Sequence, residues 1–148
     1  MQHKPLLIYL ADDDEEDSML FKEALQEVDI TTHVEVFNNG VTLMDKLLTR
    51  GTSLPDAIYL DLNMPLMNGE ECLDDIRNEP QFSKTPIIIY STYIENSLAD
   101  KLKNKGANWY IIKPNSFTEL KSLLQKSLER TFFSDSKNMS SLEGFIIA

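Results

Sequence analysis

Short apolar runs alternate along this chain with longer amphipathic segments, and this alternation limits the possible folds more than any other feature of the sequence. The apolar runs predict β-strands at residues 5–11, 33–37, 56–61, 86–91 and 108–112. The amphipathic segments predict helices at about 15–28, about 40–50, from 69 onward, about 95–104 and about 117–130. Strict strand–helix alternation predicts a doubly wound α/β fold, in which helices cover both faces of a five-stranded parallel sheet.

The apolar residues within the helical segments are spaced so that one face of each helix packs against the sheet. We expect these inward residues to be Met19, Leu20, Ala24 and Leu25 in the first helix, Val41, Leu43, Met44, Leu47 and Leu48 in the second, and Leu120, Leu123, Leu124 and Leu128 in the fifth. Asn68 is placed to cap the third helix, and Gly106 is placed to end the fourth. Cys72 is expected to be a core side chain on a helix.

Length and composition fit one compact domain. The chain has 148 residues, of which 42% are apolar, and domains commonly hold ~100 to 150 residues. No apolar run reaches the ~18 residues of a membrane span, and the acidic start does not resemble a signal peptide, so we expect a cytoplasmic protein without membrane insertion. The net charge of −10 disfavours direct binding of nucleic acid.

Polar side chains follow four of the five predicted strands where each strand ends. These residues are Asp12, Asp13 and Asp14 after the first strand, Asp61 at the end of the third, Ser91 and Thr92 at the end of the fourth, and Lys113 after the fifth. Because the carboxyl ends of parallel strands lie at one edge of a sheet, we expect these side chains to converge. Carboxylates ~4 Å apart repel by about 4 kcal/mol at an effective dielectric of roughly 20, so the cluster should recruit a cation or hold a proton. Oxygen ligands alone select a hard ion such as Mg²⁺.

A second acidic group, residues 14–17, follows the first strand directly. Acidic residues are favoured in the first turn of a helix by the helix dipole. We therefore interpret Asp14, Glu15, Glu16 and Asp17 as a solvated helix start and place them outside the site.

Four segments, "LADDDEED", "YLDLNMPLMNG", "PIIIYST" and "GANWYIIKP", resemble the receiver domain of two-component response regulators. The resemblance spans residues 5 to 130, with the four motifs in the family's order and spacing. It implies the flavodoxin-like receiver fold with strand order 2-1-3-4-5, a receiver domain at 1–130, and a tail at 131–148 without an output domain. We therefore expect a stand-alone response regulator.

The resemblance implies that Asp61 accepts a phosphoryl group from a sensor histidine kinase or a phosphotransfer protein. It also implies that Mg²⁺ is the cofactor. The acidic pair of Asp12 and Asp13, together with Asp61 and the backbone carbonyl of Asn63, then forms the metal site.

Further roles implied by the resemblance fall on residues at the ends of the fourth and fifth strands. Lys113 pairs with the phosphoryl oxygens, and the family pattern has a cis peptide bond between Lys113 and Pro114. Ser91 is the switch hydroxyl, with Thr92 beside it in the catalytic set. Tyr110 is the switch aromatic residue.

The route of the signal and its lifetime are also implied by the resemblance. The face built by the fourth helix, fifth strand and fifth helix, including Lys101, Lys103, Lys105 and Tyr110, is expected to bind a downstream protein target or form a homodimer. The tail is expected to fold back on its own domain, to be partly disordered, or to make such a contact. Asn63 and Tyr93 flank the path of the hydrolytic water, and we expect slow autodephosphorylation.

Two other classes of protein share part of this pattern. An aspartyl-nucleophile Mg²⁺ phosphatase of the haloacid-dehalogenase type is one, but it requires a carboxylate two residues after the nucleophile, where this chain has Asn63. The other is a pseudo-receiver, an interaction module that carries no phosphate. That class is expected to lack Asp61, Lys113 or the acidic pair, all of which are present here.

Overall fold

Five parallel strands form one sheet in the computed structural model, which describes residues 4–92, 95–133 and 142–148. The strands are β1 (Leu6–Ala11), β2 (Thr32–Phe37), β3 (Ala57–Leu60), β4 (Ile87–Ser91) and β5 (Trp109–Ile112). They pair in the order β2-β1-β3-β4-β5, and every pairing is parallel. The predicted fold class and strand order are therefore confirmed.

Helices cover both faces of this sheet. They are α1 (Glu15–Gln26), α2 (Gly40–Leu47), α3 (Gly69–Arg77), α4 (Asn96–Asn104), α5 (Phe117–Phe132) and α6 (Leu142–Phe145), with a 3-10 turn at Pro80–Phe82. Side chains of α1 and α5 join the core on one face, and those of α2, α3 and α4 join the core on the other. Across the described residues, no helix combines the length and the apolar character that a membrane span requires.

The inward face of α1 differs from the prediction. Phe21, Ala24 and Leu25 are buried, whereas Met19 and Leu20 are 62% and 37% exposed. Successive helical residues are about 100° apart, so a stripe centred on Phe21 and Leu25 turns residues 19 and 20 toward solvent. The prediction for Met19 and Leu20 was therefore wrong.

The prediction for α2 was wrong at its two outermost residues, Val41 and Leu48, which are 47% and 49% exposed. The other three residues predicted for this face, Leu43, Met44 and Leu47, are buried as predicted. The four leucines predicted for α5 are all buried, and so is Cys72 on α3.

Local sequence signals explain where the helices begin and end. Asn68 caps α3, and its side chain accepts a hydrogen bond from the Glu71 backbone at 2.9 Å while the Glu71 side chain accepts one from Asn68 at 3.0 Å. Asp14 caps α1 in the same way, accepting from the backbone of Asp17 at 2.9 Å. Gly106 follows α4 with φ of 109°, a conformation that residues with a Cβ rarely adopt.

The C-terminal segment, residues 142–148, packs on the outer edge of β5. Ile146 forms a parallel bridge with Tyr110, and the backbone N–H of Ile147 donates to the Tyr110 carbonyl at 2.8 Å. The segment thus folds back on its own domain, which was one of the arrangements expected for the tail. Residues 134–141 of the expected tail lie outside the described residues.

The first residue of α3 lies directly against the end of β3. A Cβ atom on Gly69 would overlap the backbone carbonyl of Asp61, and the Gly69 N–H donates to the carbonyl of Leu62 at 3.1 Å. Glycine at this position lets the helix approach the residue that the sequence analysis places at the centre of the site.

We predict that Gly69→Ala lowers the free energy of unfolding by about 1 to 3 kcal/mol, because the added methyl group overpacks the contact with Asp61. Helix propensity alone would have the opposite sign, since alanine is the better helix former by about 1 kcal/mol. Urea unfolding of both proteins measures the difference. A variant as stable as the wild type, or more stable, would contradict the close approach.

Candidate functional site

Asp61 lies at the carboxyl end of the central strand β3, almost enclosed by protein. Its backbone N–H continues the sheet pattern by donating to the carbonyl of Ala11 at 2.9 Å. Its side chain is 7% exposed, and Oδ1 accepts hydrogen bonds from the Ser91 hydroxyl at 3.1 Å and the Asn63 backbone at 3.4 Å. The carboxylate is therefore held in a fixed position at the sheet edge.

Two further carboxylates from the end of β1 lie beside Asp61. One oxygen each of Asp12, Asp13 and Asp61 lies within 4.8 Å of the others. Asp12 is buried and accepts a hydrogen bond from the Asp14 backbone at 3.0 Å, whereas Asp13 is exposed. The predicted acidic convergence is thus present, with one member open to solvent.

The Lys113 ammonium group reaches into this cluster from the end of β5. Its Nζ atom lies 2.7 Å from Asp12 Oδ2, 2.9 Å from Asp17 Oδ2 and 3.5 Å from Asp61 Oδ2. The backbone N–H of Lys113 donates to the Ser91 carbonyl at 2.9 Å, which ties the residue to β4. Three carboxylates therefore share one buried cation.

Burial and neighbouring charge have opposite effects on the pKa values of Asp12 and Lys113. Burial raises the pKa of Asp12 to about 6, although the hydrogen bond from Lys113 works against the rise. Burial lowers the pKa of Lys113, but its hydrogen bonds to Asp12 and Asp17 outweigh that effect and leave the pKa above its ordinary value. Lys113 is therefore a charged ammonium group, whereas burial still disfavours the ionised form of Asp12.

The carboxylate cluster has the chemistry of a divalent-cation site. Its donors are oxygen atoms alone, which suit a hard ion such as Mg²⁺. Asp12 Oδ2 is buried and lies 2.7 Å from the Lys113 ammonium. A second positive charge beside Asp12 would stabilise its ionised form, so the residues present fit the metal.

A chain of hydrogen bonds runs from Asp61 to β5. The Ser91 hydroxyl donates to Asp61 Oδ1, and the Tyr110 hydroxyl in turn lies in hydrogen-bond contact with Ser91. Burial raises the pKa of Tyr110 to about 12 against the opposing effect of the Ser91 contact, so the phenol keeps its proton. The strand register pairs Tyr110 with Ile89, which places Tyr110 on the same face of the sheet as Ser91.

The remaining residues of the predicted site lie around this core, and one expectation was wrong. Asn63 is exposed beside Asp61, and Thr92 is exposed just after β4. Tyr93 lies outside the described residues. No cis peptide bond occurs among the described residues, so the bond from Lys113 to Pro114 is trans rather than cis.

Asp17 is a site residue that the sequence interpretation excluded. It lies in the first turn of α1 and binds Lys113 at 2.9 Å, so its placement outside the site was wrong. Helical side chains tilt toward the helix N-terminus, and the N-terminus of α1 faces the carboxyl edge of the sheet. That direction, combined with the cap at Asp14, is the signal by which Asp17 could have been found.

The expected partner face also differs in detail. Lys101 and Lys105 form ion pairs with Glu70 of α3 at 2.9 and 3.4 Å, and Lys105 also binds Asp74 at 2.8 Å. Lys101 and Lys105 thus link α4 to α3 through ion pairs. Tyr110 is fully buried beneath the C-terminal segment and contributes no open surface.

Comparison with known proteins relates this arrangement to a family. The sequence model of the response regulator receiver domain matches residues 8–125. The response regulator Rcp1 of Synechocystis is 26% identical over 125 residues, which cover 82% of this chain and 85% of Rcp1.

Two solved structures share the fold and the order of these elements. The phosphorylated cyanobacterial phytochrome response regulator RcpA superposes with a TM-score of 0.78 at 27% identity, covering 86% of this chain and 94% of RcpA. The Mn²⁺-bound form of Rcp1 superposes with a TM-score of 0.76 at 26% identity, covering 89% of this chain and 96% of Rcp1.

We predict that Asp17→Asn lowers the free energy of unfolding by about 1 kcal/mol, because Lys113 loses one of its ion pairs. Glu16→Gln is the matched control, since it removes the same charge from the same exposed helix turn without contacting Lys113. Urea unfolding at low salt measures both variants. Equal stability of the two variants would show that the contact with Lys113 contributes nothing.

Proposed function

The chain belongs to the family of response regulator receiver domains, and we propose that it accepts a phosphoryl group on Asp61 from a histidine kinase or a phosphotransfer protein. The main support is the position of the Lys113 ammonium, 3.5 Å from Asp61 Oδ2. A fixed carboxylate with a fixed cation beside it is what attack on a negatively charged phosphoryl group requires.

The chemistry at Asp61 balances as a simple displacement. A carboxylate oxygen of Asp61 forms a bond to phosphorus while the bond from phosphorus to the donor's imidazole nitrogen breaks. The nitrogen keeps the electron pair, and Asp61 becomes an acyl phosphate. Such a transfer depends on positioning and on stabilising the equatorial oxygens, which the Lys113 ammonium and the Ser91 hydroxyl are placed to do.

Mg²⁺ is the proposed cofactor, held by Asp12, Asp13, Asp61 and the backbone carbonyl of Asn63. The support is the shared 4.8 Å neighbourhood of the three carboxylates and their all-oxygen chemistry. When bound, the ion would supply positive charge that offsets the phosphoryl oxygens. The same charge would let Asp12 stay ionised in its buried position.

Signalling follows from the hydrogen bonds at the end of β4. After transfer, the Ser91 hydroxyl donates to a phosphoryl oxygen, and Thr92 beside it lines the same end of the strand. Tyr110, bonded to Ser91, carries the change to β5. The phosphoryl group alters the protein only to the extent that it favours one arrangement of this pair over another.

The proposed output is a phosphorylation-dependent surface near α4, β5 and α5 that binds a downstream protein or a second copy of the chain. Phosphate leaves by slow autodephosphorylation, with Asn63 beside the acceptor placed to orient a water molecule. Tyr93 keeps its predicted role in covering that path.

A pseudo-receiver is the main competing function. Family membership fits both functions, because an interaction module can share the fold. The presence of Asp12, Asp13, Asp61 and Lys113 at one end of the sheet favours phosphoryl acceptance, since a module without turnover has no need for four converging charges. The phosphatase alternative has no support from the family to which the chain belongs.

We predict that the wild-type chain gains one phosphoryl group from a small-molecule phosphodonor in the presence of Mg²⁺, while Asp61→Asn gains none because an amide is not a nucleophile. Intact-mass spectrometry reads both results directly. Asp56→Asn, an exposed aspartate before β3, is the control and should be labelled like the wild type. Labelling of Asp61→Asn to the wild-type extent would place the acceptor elsewhere.

We predict that Asp13→Asn weakens Mg²⁺ binding about tenfold, which is about 1.4 kcal/mol, because it removes the most accessible carboxylate of the cluster. Calorimetric titration measures the affinity. Glu16→Gln removes an equal charge nearby and should change the affinity by much less. If the two variants bind Mg²⁺ equally well, the ion is not held by Asp13.

A further inference from the structure

The C-terminal segment extends the sheet beyond its last strand. Besides its backbone pairing with Tyr110, it is held from α5 by side chains that bind its carbonyl groups. Arg130 Nη1 donates to Gly144 at 3.3 Å, and Lys126 Nζ donates to Ala148 at 2.9 Å. Side chains of α5 therefore bind the segment at Gly144 and Ala148, and the β5 backbone binds it between these two residues.

Two side chains of the segment are buried on opposite faces of the sheet. Phe145 is 1% exposed, and its ring meets the ring of Tyr110 edge-on with centroids 6.3 Å apart. Ile147 is 2% exposed and lies in the core that contains Trp109, on the α5 side. Burying apolar side chains of this size favours the docked segment over an exposed one.

Tyr110 links this segment to the acceptor site. Its hydroxyl contacts Ser91, which donates to Asp61 Oδ1 at 3.1 Å. Its ring supports Phe145, and its backbone carbonyl accepts from Ile147. One residue therefore contacts both the switch hydroxyl and the segment, through different atoms.

We propose that the C-terminal segment is a regulatory cover of the β5 edge, docked within the same chain, and that phosphorylation of Asp61 tightens its docking through Ser91 and Tyr110. This inference rests on the proposed function, because it takes Asp61 as the phosphoryl acceptor. It adds the element that responds to the acceptor.

Phosphorylation is expected to tighten the docking because it strengthens the hydrogen bond that Ser91 donates. A phosphoryl oxygen carries more charge than a carboxylate oxygen, so the hydrogen bond from Ser91 becomes stronger and more polarised on phosphorylation. Ser91 and Tyr110 lie on the same face of neighbouring strands, so a more firmly held Ser91 leaves the Tyr110 side chain less freedom to move. Tyr110 is thereby held more firmly in its buried position, which is the position that supports Phe145.

The cover also determines what a partner can bind. An uncovered β5 would offer unpaired backbone groups to an extended peptide or to another sheet. The backbone pairing of the segment uses the Tyr110 carbonyl at the centre of that edge. A partner at this face therefore meets a composite surface of α4, the segment and α5, and the composition of that surface is fixed most firmly when Asp61 is phosphorylated.

The test measures amide hydrogen exchange of the peptide covering residues 142–148 in the full chain. Samples with and without a small-molecule phosphodonor, both containing Mg²⁺, are compared, and intact mass on the same samples reports the phosphoryl group. We expect exchange to slow by about fivefold or more on phosphorylation, the lower end of usual coupling between sites. Unchanged or faster exchange in a fully phosphorylated sample would overturn the coupling.

Tyr110→Phe isolates the link between the two ends. It keeps the ring against Phe145 and removes only the hydroxyl that reaches Ser91, so the segment should stay docked while the response to phosphorylation disappears. A response of wild-type size in Tyr110→Phe would overturn the proposed route.

Phe145→Ala tests the docking itself, without requiring phosphorylation. It should speed exchange of the segment by about tenfold, which corresponds to about 1.4 kcal/mol, because the buried ring no longer packs against Tyr110. Phe133→Ala is the matched control, since Phe133 is 65% exposed and should leave exchange unchanged. Equal exchange in the two variants would overturn the docking.

The remaining outcomes separate this inference from the proposed function. If intact mass shows no phosphoryl group on the wild type, the proposed function and the coupling both fail, while the Phe145→Ala result still decides the docking. If the group is present and exchange does not respond, the coupling alone fails. Protection that appears only at high protein concentration would assign the docked segment to a second copy and overturn docking within one chain.

Discussion

The Lys113 ammonium makes the rest of this site possible. Asp12, Asp17 and Asp61 come from three parts of the chain, and each lies within 3.5 Å of the same Nζ atom. Without that cation, buried carboxylates at this spacing would repel one another and lose their hydration. The parallel sheet brings these groups together, because the ends of β1, β3 and β5 lie along one edge.

The single Lys113 ammonium does not balance the negative charge of the carboxylates around it. Asp12 keeps a raised pKa, and Asp13 stays open to solvent beside it. A site with surplus negative charge can take up a metal ion. The same atoms that stabilise the resting fold are thus those that a phosphoryl group would use.

The sequence was sufficient to predict whatever depends on strand ends and local caps. Ser91 ends a strand, and Asp12, Asp61 and Lys113 each directly follow one, so a correct strand pattern was enough to bring them together. Asp17 was missed because its role depends on which way the first turn of α1 faces, which is a tertiary property. The exposed positions of Met19 and Leu20 have the same origin, since an apolar helix residue near a sheet edge can point to either side.

The C-terminal segment was the least predictable part of the chain. Phe145 and Ile147 are apolar in the sequence, but nothing local says whether they cover their own domain or another surface. Their docking depends on β5 being an edge strand with Tyr110 beneath it, which only the assembled sheet reveals. Long-range contacts of this kind leave no periodic pattern in the sequence from which they could be predicted.

The most direct test of Asp61 as the acceptor is a crystal structure of the full chain with Mg²⁺ and beryllofluoride, which mimics a phosphoryl group on a carboxylate. We expect beryllium bonded to an Asp61 oxygen, Lys113 Nζ and Ser91 Oγ in contact with fluorine atoms, and the metal ion held by Asp13 and Asp61. An unmodified Asp61 with Lys113 still paired to Asp12 and Asp17, or beryllofluoride on another residue, would contradict it.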